Sequence, residues 1–435
     1  MCVTDARARV FVAGGGDSYV AAFDGKSARR VGMWTTESYT MALHADAVAD
    51  KLYCLSYPSQ VIVVDPATNR RVAGIAVADY PEAVCFNTVD RKVYVASADE
   101  TSGALQVIDG VGDSLLTEID VEGTPTLMAF NPHADILYAA DPSSHWIRAI
   151  SGKTDSALDS IDVFERPVGL VYSLAQGKLY SIGGDSAITV IKPDLSGVTG
   201  LIGVPEDLTV LASNSTGTRL YCGTDELTWV YVIDCAQDRL ACAVPVPSPP
   251  WSFSYDTRND RLYCVGSNGE LSVIDCAMNS LVDTISMFDD FIYADSATDA
   301  IYCLSGDDLA VVDGETRTVM RTFDLGTYAS ALASASGWQY VYVADEEGPY
   351  LLPMHKASGP TEMAVRTAPD AQATVVRGRL DWTSTLAVMY DKSGRRVADV
   401  HRGGNDVSRL RPGVYFVRQN GVPRGTYARK VVITR

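Results

Sequence analysis

Nine times in this chain the same three-residue phrase returns: a basic or small residue, then Leu, Val or Ile, then an aromatic. It reads Arg9-Val10-Phe11, Lys51-Leu52-Tyr53, Lys92-Val93-Tyr94, Ile136-Leu137-Tyr138, Lys178-Leu179-Tyr180, Arg219-Leu220-Tyr221, Arg261-Leu262-Tyr263, Ala300-Ile301-Tyr302 and Tyr340-Val341-Tyr342. The aromatics lie 42, 41, 44, 42, 41, 42, 39 and 40 residues apart. A second mark follows each aromatic by 11 to 15 residues, an apolar run ending in Asp: Phe23-Asp24, Val64-Asp65, Ile108-Asp109, Ile233-Asp234, Ile274-Asp275 and Val312-Asp313. Ser151 and Lys192 replace that Asp in the fourth and fifth repeats, and the ninth ends on Met354-His355.

From Lys51 onward, one repeat reads as four short strands: Leu52 to Leu55, Val61 to Val64, Val72 to Val77, and a run around Ala83 to Phe86. The turn over Pro66-Ala67-Thr68-Asn69 and the loop through Pro81 separate them. Short strands joined by Asp, Asn, Gly and Pro, recurring every forty or so residues, describe the four-stranded blade of a β-propeller. A lone sheet of this kind would leave an apolar face in water, and radial stacking covers both faces. A linear β-solenoid is the competing architecture, but its repeats are shorter and give one strand per rung. Counting gives eight or nine blades. The first repeat has a truncated inner strand, Met1 to Thr4, and the last a doubtful fourth strand, Glu362 to Arg366, so ring closure by strands shared between the termini is expected.

The repeated Asp invites a metal-binding reading. Its position before Ala-Thr-Asn-like turns favours a turn role instead, the carboxylate accepting the backbone N–H two residues on. The repeated Tyr reads as a blade-packing residue with a hydroxyl partner near the sheet edge.

Charge divides the chain. The net charge is −18, yet Ala373 to Arg435 carries 13 Lys and Arg against 4 Asp, leaving the first 372 residues at −27. We expect a propeller over 1–360, a linker over 361–372 and a small antiparallel β-sandwich over 373–435. A body this acidic repels phosphate backbones and anionic membranes, so nucleic acid is excluded as its partner. No run of 18 apolar residues is present, hence no membrane-spanning helix is expected. The N-terminus lacks a charged segment followed by an apolar one, so no signal peptide is visible.

All nine cysteines lie in the acidic part. Cys54, Cys222, Cys264 and Cys303 each follow the repeated Tyr, and Cys235 and Cys276 each follow Val-Ile-Asp. Equivalent positions in neighbouring blades point the same way, so these read as small packing residues; Cys235 and Cys242 flank one hairpin and are the pair able to bridge. No Cys or His cluster has metal spacing, and no metal or cofactor is expected.

Lys92-Val93-Tyr94-Val95, Val107-Ile108-Asp109, Ala67-Thr68-Asn69 and Gly123-Thr124-Pro125 resemble the pieces of YVTN-type β-propeller repeats found in prokaryotic surface and secreted proteins. The likeness covers about residues 1 to 355 and implies the fold, since that family shares no catalytic residues. The tail carries Tyr390-Asp391-Lys392-Ser393-Gly394-Arg395-Arg396-Val397, then Gly413-Val414-Tyr415 and a terminal Lys430-Val431-Val432. It looks like the C-terminal sorting domains of type IX secretion substrates. That resemblance implies export, attachment through secretion machinery, an extracellular or cell-surface location, and a leader upstream of Met1.

The five histidines, His44, His133, His145, His355 and His401, fall at unrelated repeat positions. No nucleophile and base pair up by spacing, and Gly14-Gly15-Gly16-Asp17 lacks the Lys-Ser/Thr of a phosphate loop. What remains is one face of the ring, where the loops from fourth strand to next blade and from second to third strand meet. They hold Tyr39, Tyr80, Glu82, Asp207, Asp289 and Tyr328 together with the candidate binding residues Arg166, Glu206, Trp251 and Asp290, while Tyr57 and the candidates Trp146 and Trp229 come from the other set of loops. Aromatics beside carboxylates suit a protein, peptide or glycan ligand. The favoured expectation is therefore a non-enzymatic binding or scaffold module. The alternative is a propeller enzyme, a lactonase-like hydrolase or a quinoprotein, with Arg166, Glu206 and Asp290 near the central channel.

Overall fold

The computed structural model describes residues 2–4, 8–13, 19–26, 30–36, 38–98, 103–121, 123, 125–163, 166–183, 186–192, 197–286, 291–306, 308–324, 329–333, 340–345 and 351–355 of the repeat region. In the tail it describes 374–376, 379–382, 387–391, 396–401, 403–406, 410–411, 413–419 and 429–433. Strands and turns make up the described residues, and no helix occurs among them.

The second blade shows how the sequence makes a sheet. Thr40–Asp46, Lys51–Ser56, Gln60–Asp65 and Arg70–Ala76 pair in chain order, each antiparallel to the next. Val, Ile, Leu and Tyr fill the two middle strands, where they fit a pleated surface covered on both sides. Asp46 starts the first turn by accepting the N–H groups of Val48 and Ala49 at 2.8 and 3.0 Å, and Asp50 takes the left-handed conformation at φ 51° before the chain re-enters the ladder. Asp65 opens the later hairpin in the same way, accepting from Ala67 N at 2.7 Å, and Asn69 closes it at φ 53°. Asp and Asn are the non-glycine residues that tolerate this region best. The ladder then slips by one residue between Val63 and Val64, and the same bulge recurs at Val107/Ile108, Val232/Ile233 and Val273/Ile274. Bulges of this kind raise the strand twist a radial blade needs.

Eight such four-stranded sheets occur among the described residues, followed by a three-stranded ninth, Ala329–Ala333, Tyr340–Asp345 and Leu351–His355. The protein is a β-propeller. First strands of successive blades approach one another closely around the centre, whereas fourth strands meet more sparsely at the rim. Burial follows that gradient: Leu52 to Ser56 and Val61 to Val64 are fully buried, while the rim strand Arg70–Ala76 exposes every residue but Ala73 and Ile75. Cores form between blades, as where Tyr94, Ala96, Leu105 and Val107 of the third meet Leu137, Ala139 and Ile150 of the fourth.

The recurring basic-apolar-aromatic phrase is explained by contacts between blades. Lys51 Nζ donates to Gly110 O at 2.7 Å and to Asp113 Oδ1 at 2.6 Å, both in the last hairpin turn of the next blade. Lys92 reaches Gly152 O and Asp155, Lys178 reaches Asp238, and Arg219 reaches Cys276 O and Asn279 Oδ1, each one blade onward. Arg261 does the same to Gly314 O. The aromatic two residues along the same strand adds its hydroxyl: Tyr180 donates to Cys235 O at 2.9 Å and Tyr263 to Gly314 O at 3.4 Å. Tyr342 of the ninth sheet donates to Asp24 O of the first blade at 3.4 Å, and Val341 and Val343 pack with Tyr302 and Leu304 of the eighth. The ninth sheet thus closes the ring with the joint that links the others.

Two expectations change. The run around Ala83 to Phe86 belongs to Pro81–Asn87, the first strand of the following blade, because it pairs with Lys92–Ala98. Closure also borrows no strand among the described residues. Cys2–Thr4 is a short inner strand of three residues, as the truncated first repeat implies, and it pairs with Arg9–Ala13 inside a sheet drawn wholly from the N-terminal segment. Glu362 to Arg366 and the expected linker over 361–372 lie outside the described residues.

In the tail, Thr374–Val376, Arg429–Ile433, Gly413–Gln419, Ala387–Asp391 and Arg396–Val400 form one sheet in that order, and Arg379–Trp382 pairs with Gly403–Asp406 in a second. Two small sheets thus make up the described part of the tail. One pairing differs: Thr374–Val376 runs parallel to Val431–Ile433, which a purely antiparallel arrangement does not include.

Candidate functional site

The repeated Asp is a turn residue. Asp234 Oδ1 accepts from Ala236 N and Gln237 N at 3.0 and 3.1 Å, and Asp313 Oδ1 from Thr316 N at 2.6 Å and from the Thr316 hydroxyl at 2.7 Å. Backbone N–H groups of Val111 and Gly112 hold the Asp109 carboxyl below the ordinary carboxylate range. A second set was not singled out from sequence: Asp46, Asn87, Asn131, Asp256 and Asp295 cap the first hairpin turn of their blades in the same manner. Their spacing, a few residues before each basic-apolar-aromatic phrase, was the available signal.

The cysteines pack. Cys54, Cys222, Cys264 and Cys303 are buried at one strand position, and burial pushes their thiols up, that of Cys264 to about 12. Cys235 and Cys242 are both free: Cys235 is buried in the hairpin turn, and Cys242 faces Val232 in the ladder. His44 sits on a first strand with its Nε2 buried, and that burial depresses its basicity.

Of the six candidate residues, Trp146, Trp229 and Trp251 are 46%, 38% and 65% exposed. Arg166 is exposed in the loop leading into the fifth blade, and Glu206 is half-buried in the loop leading into the sixth. Asp290, like Asp289 and Tyr328, lies outside the described residues. The topology puts all five described candidates on the loop face, spread from the fourth blade to the seventh. No hydrogen bond, ion pair or ring contact joins any two of them. Glu206 lies near Tyr231, whose phenol is raised by burial and then by the Glu206 charge.

Two clusters do form on that face. Tyr39 and Tyr57 stack with ring centroids 4.8 Å apart and planes 14° apart, and Tyr80 meets Tyr57 edge-on at 5.4 Å. Backbone bonds brace the trio, Tyr57 N to Tyr39 O at 3.1 Å and Tyr80 N to Pro58 O at 2.6 Å.

The second cluster surrounds Trp146. A cavity of about 150 Å³ lies between the third and fourth blades, lined by Val121, Gly123, Pro125, Asp141, Trp146 and Arg148, with Ala139 and Ser144 completing it. Strand alternation explains the grouping. On Trp146–Ser151, Ile147 and Ala149 pack toward the fifth blade with Leu179 and Ile191, which turns Trp146 and Arg148 toward the third. Arg148 Nη1 donates to Ser160 Oγ at 2.5 Å. Asp141 directly follows the preceding strand, Ile136–Ala140, is only 7% exposed, and accepts from Ser143 N and Ser143 Oγ at 2.7 Å. Gly123 must be glycine: its φ is +85°, and a Cβ there would sit 2.1 Å from Asp141 Oδ2.

Asp141 and Arg148 were not singled out from sequence, although the repeat marks both. Three residues after the aromatic, blades one to eight carry Gly14, Ser56, Ser97, Asp141, Gly183, Thr224, Gly266 and Ser305. At the position of Arg148 they carry Ala21, Ile62, Gln106, Arg148, Thr189, Tyr231, Ser272 and Ala310. All seven others at the second position are neutral and buried. The fourth blade alone among these eight places a carboxylate and a guanidinium there, and both open onto one cavity.

Fold and loops together define a β-propeller that carries exposed tryptophans on one loop face. Solved structures agree on the fold: the chain is similar to a computationally designed protein, Ika8 (TM-score 0.56, 14% identity, 73% of this chain and 96% of that one). It is also similar to the dihydro-heme d1 dehydrogenase NirN in complex with DHE (TM-score 0.59, 14% identity, 74% of each chain). A third is apo AztD from Citrobacter koseri (TM-score 0.52, 11% identity, 73% of this chain and 94% of that one). No protein-family model matches the chain, and no curated protein does.

Proposed function

We propose that this protein is a non-enzymatic binding or scaffold module of the cell surface or extracellular space, taking a protein, peptide or glycan ligand on its loop face while the basic tail serves export or attachment. The carrying observation is the exposure of large aromatics on that one face, Trp251 at 65%, Trp146 at 46% and Trp229 and Tyr39 at 38% each. Exposed aromatics grouped in this way are the anchors that binding surfaces use, because each buries a large area when a partner covers it. Location at the surface is supported by the resemblance of the tail to sorting domains.

The test is binding of purified full-length chain to glycan and peptide arrays, beside a variant carrying Trp146→Ala, Trp229→Ala and Trp251→Ala. A control variant changes Val48, Val89 and Leu174, exposed at the turns of the opposite face, to Ser. Loss of array binding in the tryptophan variant and retention in the control is expected. Equal binding by both variants, turnover in a lactone or sugar-oxidation screen, or a wholly cytosolic protein on fractionation of cells expressing the gene from its own reading frame would each overturn the proposal.

A further inference from the structure

We infer that the mouth of the central channel on the loop face is a docking site for a Lys- and Arg-rich segment of a partner protein, met by a ring of side chains that the innermost strands hold out of their ladders, with Trp251 and Glu82 as the principal contacts. This rests on the reading of the loop face as a ligand surface and narrows it to one place and one chemistry.

The ring comes from a backbone device repeated from blade to blade. In five first strands the register against the second strand slips by one residue at the loop-face end, which leaves Met41, Glu82, Val168, Trp251 and Ser330 without a partner in the ladder. A bulge of this kind bends its strand and re-aims the extra side chain. The residue before the slip is buried, Thr40, Pro81, Pro167 or Pro250, and the one after it is small, Ala42, Ala83, Gly169 or Ser252. Between those fixed neighbours the extra residue changes its chemistry from blade to blade. It also stays in water: Met41 is 39% exposed, Val168 45% and Trp251 65%, and Glu82 is exposed too. First strands crowd the centre, so these side chains encircle the mouth of the channel. The indole of Trp251 is the largest of them, with most of its area available to a partner.

Charge complementarity selects the partner. The joints between blades draw Lys51, Lys92, Lys178, Arg219 and Arg261 to the opposite face, where each is bound to the next blade's turn. On the loop face the described loops expose Asp79, Asp207, Asp225 and Glu226 and half-bury Glu206, and their only basic residue is Arg166. The loop face is thereby left negative, and a surface of one sign steers in ligands of the other and turns away those of its own. At the mouth itself an indole face takes a guanidinium or ammonium by cation–π attraction, and Met41 and Val168 suit the apolar stems of the same side chains. Glu82, which no described group engages, supplies the counter-charge. Glu82 and Trp251 stand four blades apart, in the third and the seventh, so a ligand that meets both is an extended segment and not a single small cation.

The experiment titrates the full chain into a short fluorescein-labelled peptide alternating Arg and Gly, read by fluorescence anisotropy at physiological salt, with peptides carrying Glu or Ser in place of Arg as comparators. Trp251→Val installs the residue that the fifth blade carries at its slip, Val168, and Glu82→Gln removes only the charge; thermal melting checks that both variants fold. Val89→Ser, on the opposite face, is the control. The Arg peptide binds and the comparators do not. Trp251→Val weakens binding about tenfold, as loss of an aromatic anchor does, Glu82→Gln about threefold, as loss of an exposed ion pair does, and Val89→Ser leaves it unchanged. Equal binding by the natural chain and the Trp251→Val, Glu82→Gln double variant overturns the inference, as does equal binding of the Glu peptide. Tighter peptide binding after Arg395→Gln and Arg396→Gln would assign the mouth to the chain's own basic tail, and dimers dissolved by Trp251→Val would assign it to a second copy; either result overturns the partner inferred. If array ligands are lost in the triple tryptophan variant while the Arg peptide fails to bind the natural chain, this inference falls and the loop-face reading stands.

Discussion

Lys92 offers the sharpest check on what holds neighbouring blades together. Its Nζ donates to Gly152 O at 2.6 Å and to both Asp155 oxygens at 2.8 Å, and the two side chains are 14% and 16% exposed. Lys92→Met keeps the stem that packs along the blade and removes the ammonium, leaving a shielded carboxylate and a carbonyl without that donor. Exposed ion pairs are worth about 0.2–1 kcal/mol, and breaking a fully buried one costs about 3–5 kcal/mol. This pair lies between those limits, so a loss of about 2 kcal/mol is expected. Asp155→Asn keeps the left-handed turn at φ 51° and an acceptor oxygen, as Asn279 does opposite Arg219, and costs about 1 kcal/mol. Because both changes remove the same attraction, the double variant falls short of their sum by about 1 kcal/mol. Urea denaturation followed by circular dichroism gives the three values, and amide exchange shows whether protection falls at the joint of the third and fourth blades. Additivity within about 0.3 kcal/mol would refute the clamp as a stabilising contact.

Two further outcomes follow from burial. Phenols at the repeated aromatic position are pushed up from 10.0 by desolvation first, Tyr263 to about 12 and Tyr53, Tyr94, Tyr180, Tyr221 and Tyr302 further. The neutral form is the folded one, so their contribution to stability is complete below about pH 10 and is lost as pH climbs toward the folded values; tyrosinate absorbance from these rings should rise together with alkaline unfolding, and a smooth rise on a folded chain would count against it. With Cys54, Cys222, Cys264 and Cys303 buried and raised, thiol labelling of the native chain should be slow at most sites and reach all nine cysteines after denaturation. A residual unlabelled pair at Cys235 and Cys242 under non-reducing conditions would show a bridge that the fold does not contain.

Much of the fold was legible because propeller blades repeat their local rules. The Leu-Tyr strand, the Val-Ile-Asp strand and the turn after it are short-range features, and each blade states them anew. What sequence could not give was the phase of the unit and the manner of closure. Pro81–Asn87 is followed by its own hairpin turn through Asn87, and only the pairing with Lys92–Ala98 assigns it to the next blade. Ring closure depends on a contact between residues 318 apart, Tyr342 and Asp24, which no local pattern encodes. The basic residues Lys51, Lys92 and Lys178 were visible but unexplained, since their partners lie some sixty residues on, in the neighbouring blade's last turn.

The site was harder to read for a related reason. Exposed tryptophans attract attention in any sequence, and Trp146, Trp229 and Trp251 are indeed exposed on the loop face. Arg166 and Glu206, chosen for their charge in a loop, do not share a contact with one another or with those rings. Asp141 and Arg148 sit inside strands or at their ends, where charge looks like noise until the blades are superposed. In a repeat protein the informative residue is the one that departs from its equivalents at a cost. A carboxylate and a guanidinium that abandon Ser and a neutral buried side chain in the same blade, on facing strands, have each given up cheap packing. Such a joint departure is invisible in any single repeat and shows only when equivalent positions of the eight blades are set side by side.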